Sequence, residues 1–336
     1  LLLGDAVKKI LVITDNLPDQ INGVVTTYKN LEACAILDDY SIVYLSPLEF
    51  GYVSCPGYQE IKLALPRKMT QAISSIGADY YHIATEGPVG LFARACLTRQ
   101  GIRYNTSYHT RFPEGLHKLL GIPPWLTWRY IRWFHKHSGR CLTTTATVKS
   151  QLESHGLSNV VTWTRGVDRD IFNPQPQKHK QLTTLLCVSR VSGEKNLEDF
   201  CSLQVPNTRK ILVGDGPQLN YLRQHYQDVQ FAGYKTGHEL AEYYQQADVF
   251  VFPSCWDTFG IVMLEAIACG TPIAAYPVPG PQDVVEQGVN GYLDNNLTTA
   301  VNRALTLDRN TVYQSSLRWT WQECWNIFKQ NLVSAK

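Results

Sequence analysis

The chain has 336 residues, enough for two domains of ordinary size. Hydrophobic residues make up 44% and charged ones 18%, which suits a soluble globular protein with a sizeable core. With 31 Lys and Arg against 29 Asp and Glu the formal charge is +2, so composition announces neither a nucleic-acid nor a membrane binder and any basic surface must be local.

Short Val/Ile-rich runs read as strands, with helical patterns between them. KKILVITD (8–15) comes first, followed by the helix-length GVVTTYKNLEACAIL and then SIVYL (41–45), ADYYHIA (78–84), RYNTSYH (103–109) and RCLTTTA (140–146). WLTWRYIRWFHKHS (125–138) mixes aromatic and basic residues at helical spacing, which predicts a packed face and a charged outer face. RGVDRDIFNPQPQKHKQLTT (165–184), rich in Pro, Gln and charge, reads as the domain boundary. A second strand series follows: TLLCVSR (184–190), KILVGDG (210–216), VQFAG (229–233), DVFVFPS (248–254) and TPIAAY (271–276), with HELAEYYQQA as an intervening helix. Repeated strand, helix, strand predicts parallel α/β sheets rather than a sandwich. The expected domains are 1–168 and 169–316, each doubly wound, with ligand in the cleft at the strands' C-terminal ends. In WTWQECWNIFKQNLV (319–333) apolar residues recur at helical spacing, so 317–336 is expected to pack back on the first domain.

Nine cysteines without any CxxC pair, odd in number and partly in apolar runs, predict buried reduced thiols of a cytosolic protein rather than disulfides or a zinc site. LLLGDAVKK is too short for a signal peptide, and no run of 18 apolar residues is present to span a membrane.

Within FPSCWDTFGIVMLEAIACGTPIAAYPVPGP (252–281), Asp257-Thr258 follows a strand and precedes a helix, so one of them is the expected N-cap. Gly260 in the first turn costs ~1 kcal/mol relative to Ala, which suits close approach of a ligand to the backbone. The helix start is a ready phosphate site. Glu265 has apolar neighbours Ile261, Val262, Leu264, Ile267 and Ala268, and needs hydrogen-bond donors from the protein or from ligand hydroxyls. Eight residues of helix rise about 12 Å, whereas paired catalytic carboxylates sit roughly 5–10 Å apart. That spacing assigns Asp257 and Glu265 to two ends of one elongated ligand, and a nucleotide sugar has such a shape. The plainer alternative is that Asp257 only caps and Glu265 pairs with an internal Arg or Lys.

This run resembles the E-x7-E region of the retaining glycosyltransferases of family four, which have the two-domain GT-B fold. Asp257 replaces the first Glu, a variant that also occurs in bacterial mannosyltransferase-like members. The resemblance implies an α/β GT-B architecture of two Rossmann-like, doubly wound domains facing a central cleft. It implies that Glu265 holds ribose hydroxyls and that Asp257 contacts the donor sugar. The Phe259-Gly260-Ile261 backbone would meet the diphosphate, with Thr258 in the same donor site. SRVSGEKNLEDF (189–200) is similar to the family's G-R-x-x-x-E-K-N segment, which gives Arg190 and Lys195 to the diphosphate. ILVGDGPQLNYL (211–222) matches the Gly-rich turn, with Gly214 and Gly216 as donor contacts, and the following segment lines the base pocket, with Tyr234 assigned to it. In TDNLPDQINGVVTTYKNL (14–31), Asn22 and Gly23 resemble the N-terminal Gly loop, whose N–H groups could face the diphosphate. HIATEGPVGLFAR (82–94) and YNTSYHTRFPEGL (104–116) follow the family pattern, making His109 the active-site histidine and placing Glu86 and Arg111 on the acceptor side. Asp168-Arg169-Asp170 spells D-x-D but lies in the linker and is read as structural.

The implied reaction moves a hexose from a UDP- or GDP-linked sugar to a hydroxyl of a lipid or glycan, with retention and with no metal or other cofactor. His109, Asp257, Arg190 and Lys195 carry the chemistry. The implied location is cytoplasmic, with peripheral contact to the inner membrane face. Competing readings are a glucosyltransferase acting on hydroxymethylated DNA bases, a sugar-nucleotide epimerase or hydrolase, and a non-catalytic GT-B binding subunit.

Overall fold

The structure is a computed structural model that describes residues 7–20, 22–55, 58–109, 113, 121–176 and 181–336. The chain divides into two compact units, residues 1–165 with 321–336, and residues 166–320.

In the first unit the strands are β1 (Lys8–Ile13), β2 (Tyr40–Leu45), a separate antiparallel hairpin β3 (Tyr52–Cys55) and β4 (Tyr58–Ala64), then β5 (Tyr80–Ile83), β6 (Asn105–Tyr108), β7 (Cys141–Thr143) and β8 (Val160–Thr162). Six of these form a parallel sheet in the order β2-β1-β5-β6-β7-β8. Ile10 to Ile13 are all fully buried, as a strand covered on both faces requires. Their side chains alternate between two cores. Leu11 and Ile13 join Met69, Ile73, Val89 and Leu97 from the helices Met69–Ile76 and Pro88–Arg99. Ile10 and Val12 meet Tyr28 and Leu31 of the helix Gly23–Leu37 together with Trp163. The helix Trp321–Gln330 completes this second core by inserting Cys324, Trp325 and Phe328. Two indole N–H groups fix it there: Trp163 donates to the Cys324 carbonyl at 3.0 Å, and Trp325 donates to the Asp38 carboxylate at 2.6 Å.

The second unit carries β9 (Thr183–Val188), β10 (Thr208–Val213), β11 (Val229–Gly233), β12 (Val249–Phe252), β13 (Ile273–Ala275) and β14 (Gly291–Leu293). They form one parallel sheet in the order β11-β10-β9-β12-β13-β14. The strand order reverses between β9 and β12, the switch point at which doubly wound sheets bind ligands. Alternation again makes two cores, with Leu186, Val188, Phe250 and Phe252 on one face and Leu185, Cys187, Val249 and Val251 on the other.

Each strand expected from sequence is present within a few residues, while β8, β14 and the β3–β4 hairpin are additions. None of the eight cysteines whose side chains are described forms a disulfide, and six of them are buried. Among the described residues no helix is long and apolar enough to cross a membrane.

Candidate functional site

The second unit gathers charge at its switch point. After β9 the chain passes through exposed Arg190 to a short 3-10 turn, Gly193–Lys195. After β12 it passes through Asp257. There the Lys195 ammonium meets the Asp257 carboxylate at 2.7 Å, with side chains 20% and 24% exposed, so the pair is shielded but reachable. Burial alone would raise the Asp257 carboxyl, but Lys195 overrides it and holds it below the usual range. The β10 loop closes against the same strand end. A Cβ on Gly214 (φ 142°) would stand 1.8 Å from the Ser189 carbonyl oxygen, so only glycine fits there.

The helix after β12 begins at Ile261, and its N-cap is Gly260 in the left-handed region (φ 85°) with no side-chain cap. Neither Asp257 nor Thr258 caps it, contrary to the sequence expectation. Asp257 is held by Lys195, 62 residues earlier, and Thr258 is buried. The two acids therefore do not share one helix, and the 12 Å rise does not measure their separation. The plainer alternative is inverted as well: Asp257 has the lysine, while among the described residues Glu265 has no cationic partner.

Glu265 lies half-buried in that helix, and the Tyr244 hydroxyl donates to its Oε2 at 2.9 Å. Burial pushes its carboxyl up to about 7, with the Tyr244 hydrogen bond opposing. Tyr234, 47% exposed, has its phenol raised first by burial and then by the Glu265 charge, which puts the two groups in one electrostatic neighbourhood. The Phe259 ring is a core group edge-on to Trp319 at 5.6 Å, so only its backbone is available to a ligand. Among the described residues no three His, Cys, Asp or Glu side chains are grouped to hold a metal ion. In the D-x-D segment Asp168 accepts from the Asp170 backbone N–H at 3.0 Å, and Arg169 donates to the Ser316 carbonyl at 2.7 Å, so it serves local structure.

The candidates of the first unit are engaged with their own unit. Asn22 caps the helix that starts at Gly23, its Oδ1 accepting from the Val24 and Val25 N–H groups at 3.0 Å each. The Gly-loop reading offered backbone N–H groups at this helix start to phosphate, and two of them are taken by Asn22. Asp15 does the same for the helix Pro88–Arg99, accepting from Val89 N–H at 2.7 Å and from the Thr85 hydroxyl at 2.6 Å. His109 follows β6, with its Nδ1 3.0 Å from a guanidinium nitrogen of Arg165. Arg can only donate, so Nδ1 accepts and the proton of the neutral ring sits on Nε2. Burial, then the Arg165 charge, holds the His109 pKa well below its ordinary value. Arg165 is itself buried, stacked on Trp163 at 4.3 Å and bonded to the carbonyls of Trp163 and Thr164.

Glu86 is buried, with its carboxylate 3.2 Å from Nε2 of His135. The hydroxyls around the other ring nitrogen fix its role. Ser138 donates to the His135 carbonyl and Thr106 donates to Ser138, so the Thr106 oxygen accepts from Nδ1–H at 2.8 Å. Both ring nitrogens then donate. Burial opposes that charge, but Cys141 and Glu86 override it and lift the His135 pKa to about 10. Arg111 lies outside the described residues.

Sequence reasoning missed Tyr244, Arg165 and His135, each of which orients a group it had chosen, and Asp15, which caps the helix Pro88–Arg99. Only the position of each within an apolar strand or helix pattern could have hinted at them.

The sequence matches two family profiles, "Glycosyl transferases group 1" over residues 168–306 and "Glycosyltransferase Family 4" over residues 39–171. A sulfoquinovosyl transferase of Arabidopsis thaliana is 29% identical over 76% of this chain and 56% of its own length. A GDP-mannose-dependent alpha-mannosyltransferase of Corynebacterium glutamicum is 29% identical over 69% of this chain and 59% of its own. The matched segment thus spans little more than half of each relative. Among solved structures, a sucrose-phosphate synthase of Thermosynechococcus elongatus superposes with a TM-score of 0.75 at 20% identity, covering 96% of this chain and 98% of that one, which establishes the fold. Two Rossmann-like units, a charged switch point in the second and profiles that together run from residue 39 to residue 306 lead to one assignment: the chain belongs to glycosyltransferase family four, with the GT-B fold.

Proposed function

We propose that the chain transfers a hexose from a UDP- or GDP-linked sugar to a hydroxyl of a lipid or glycan, with retention at the anomeric carbon and without a metal. The observation that carries this reading is the pairing in the second unit. Lys195 and Asp257 form a shielded but reachable ion pair, and Glu265 is oriented by a neutral tyrosine and has no cation of its own among the described residues. An incoming diphosphate competes with Asp257 for Lys195 and adds Arg190, and these two cations take the charge of the leaving group. Asp257, released in part from Lys195, is then free to accept a hydroxyl of the donor sugar. Glu265 accepts the ribose hydroxyls through the lone pairs that Tyr244 leaves.

The chemistry balances without a protein nucleophile. The bond from the anomeric carbon to the diphosphate oxygen breaks as the acceptor oxygen attacks from the same face. The acceptor's proton passes to the departing phosphate oxygen. His109, neutral with its proton on Nε2, acts as a hydrogen-bond donor and not as a general base. The acceptor class rests on the family resemblance.

A thermal-shift screen of UDP-, GDP- and ADP-sugars, followed by mass analysis with lipid, oligosaccharide and hydroxymethylated-DNA acceptors, tests the reading. A melting shift with one donor and a product heavier by one hexose are the expected results. No shift with any donor would overturn it, and a product formed only on DNA would replace the acceptor class.

A further inference from the structure

The helix Pro124–His135 has two unlike faces. Thr127, Ile131, Phe134 and His135 are buried, at i, i+4, i+7 and i+8. Trp125, Arg129, Arg132, Trp133 and Lys136 recur at i, i+4, i+7, i+8 and i+11, and together with Leu126 they are all exposed. Trp125 is 63% exposed, Leu126 48% and Trp133 48%. The outer face is thus not simply charged, as the sequence pattern suggested: large apolar groups and cations alternate along it. Residues 115–152 contain no Asp or Glu in 38 positions, although the whole chain carries 29 in 336, so every formal charge on this stretch is positive. Among the described residues none of Arg129, Arg132 and Lys136 has an acidic partner. The Trp133 ring is held in place by Arg94, whose guanidinium lies 3.9 Å from the ring centroid while donating to the Trp133 and Phe134 carbonyls.

We infer that this face docks the protein on an anionic lipid surface. The occupant follows from the chemistry of the stripe. Indole rings are amphipathic and favour the boundary between headgroups and acyl chains. Interleaved arginine and lysine meet anionic headgroups at the same depth. A free amphipathic helix would put its apolar and basic residues on opposite sides, but this helix has given one side to the protein core, so both kinds must share the other. A nucleic acid would satisfy the cations but leave Leu126 unmatched, and a second copy of the chain would bring cations against cations. The inference extends the acceptor reading above and rests on it only in making a lipid surface relevant. Binding is measured without donor or acceptor, so the two can fail separately.

The experiment is sedimentation of the whole protein with vesicles of phosphatidylglycerol and phosphatidylcholine, and with phosphatidylcholine alone, at low and at physiological salt. Binding to the anionic vesicles that weakens with salt is expected. Trp125→Ser with Leu126→Ser should weaken it at least about tenfold, and Arg129→Gln with Lys136→Gln about 25-fold, at roughly fivefold per cation. All four positions face solvent, so melting temperatures and donor binding should stay as in the parent protein. Equal binding to neutral vesicles, no binding, or variants that bind like the parent would overturn the inference. So would binding to DNA, or self-association in ultracentrifugation, that the same substitutions abolish.

Discussion

The two units handle buried charge in opposite ways. In the first, titratable groups consume one another. His135 and Glu86 share a proton-rich pair, Arg165 spends itself on His109 and two carbonyls, and the Tyr28 hydroxyl meets His82 at 2.8 Å while His82 meets Ser107 at 2.6 Å. In the second, the charges at the switch point are part-exposed: Lys195 lies on Asp257, Arg190 stands in solvent reach, and among the described residues Glu265 is held only by a phenol. A network that satisfies itself holds a shape, whereas one with charge to spare can bind a charged ligand. The second unit thus offers charge to a ligand, as the proposed donor site requires, while the buried pairs of the first serve its own fold.

Substitutions can break or sharpen this contrast. The largest effect is expected for Lys195→Ala, about 10³-fold in turnover with a smaller loss of stability. Steady-state kinetics beside a melting curve would check it, and unchanged turnover would remove the second unit from the chemistry. His135→Ala should behave the other way. It strands Glu86 in the core, costing roughly 3 kcal/mol in a denaturant titration, while donor affinity measured by calorimetry stays the same.

Glu265→Gln comes next. The folded pKa of about 7 lies above the ordinary glutamate value of 4.5, so the glutamate's favourable contribution is fully present below about 4.5 and lost as pH rises through 7. The Gln variant should therefore gain on the parent at alkaline pH, on the order of 2 kcal/mol. Donor binding runs oppositely, because ribose hydroxyls need the ionised acid. Parent affinity should rise from pH 6 to about pH 8 and then level, and the variant's should stay low and flat. The smallest effect is Asn22→Ala, about 1 kcal/mol of stability for a lost cap. Unaltered donor affinity would assign Asn22 to the helix, and a matching loss of affinity would return it to the donor site.

The sheet series was legible because β1, β9, β10 and β12 are near-continuous apolar runs, the signature of strands covered on both faces. Val160–Thr162 and Gly291–Leu293 escaped because in each only the first of three residues is buried, whereas the equally short Cys141–Thr143 and Ile273–Ala275 are buried throughout. Of the candidate site, residue types were readable and partners were not. Nothing local says that Lys195 reaches Asp257, that Tyr244 finds Glu265 21 residues on, or that His135 lies against Glu86 49 residues back. The misplaced helix start has the same origin. A Thr-Phe-Gly turn permits a cap at several positions, and a distant lysine decides which residue is spoken for.

The helix Trp321–Gln330 also sets an order of events in the life of the chain. Its Trp325 and Phe328 fill a core opened by residues made more than 300 positions earlier, such as Ile10 and Val12. During synthesis the second unit, residues 166–320, can close as a continuous segment as soon as it emerges. The first unit begins first and finishes last, with a hydrophobic slot beneath β1 held open until its final helix arrives. Slow or truncated translation would thus expose the older half of the protein, not the newer one.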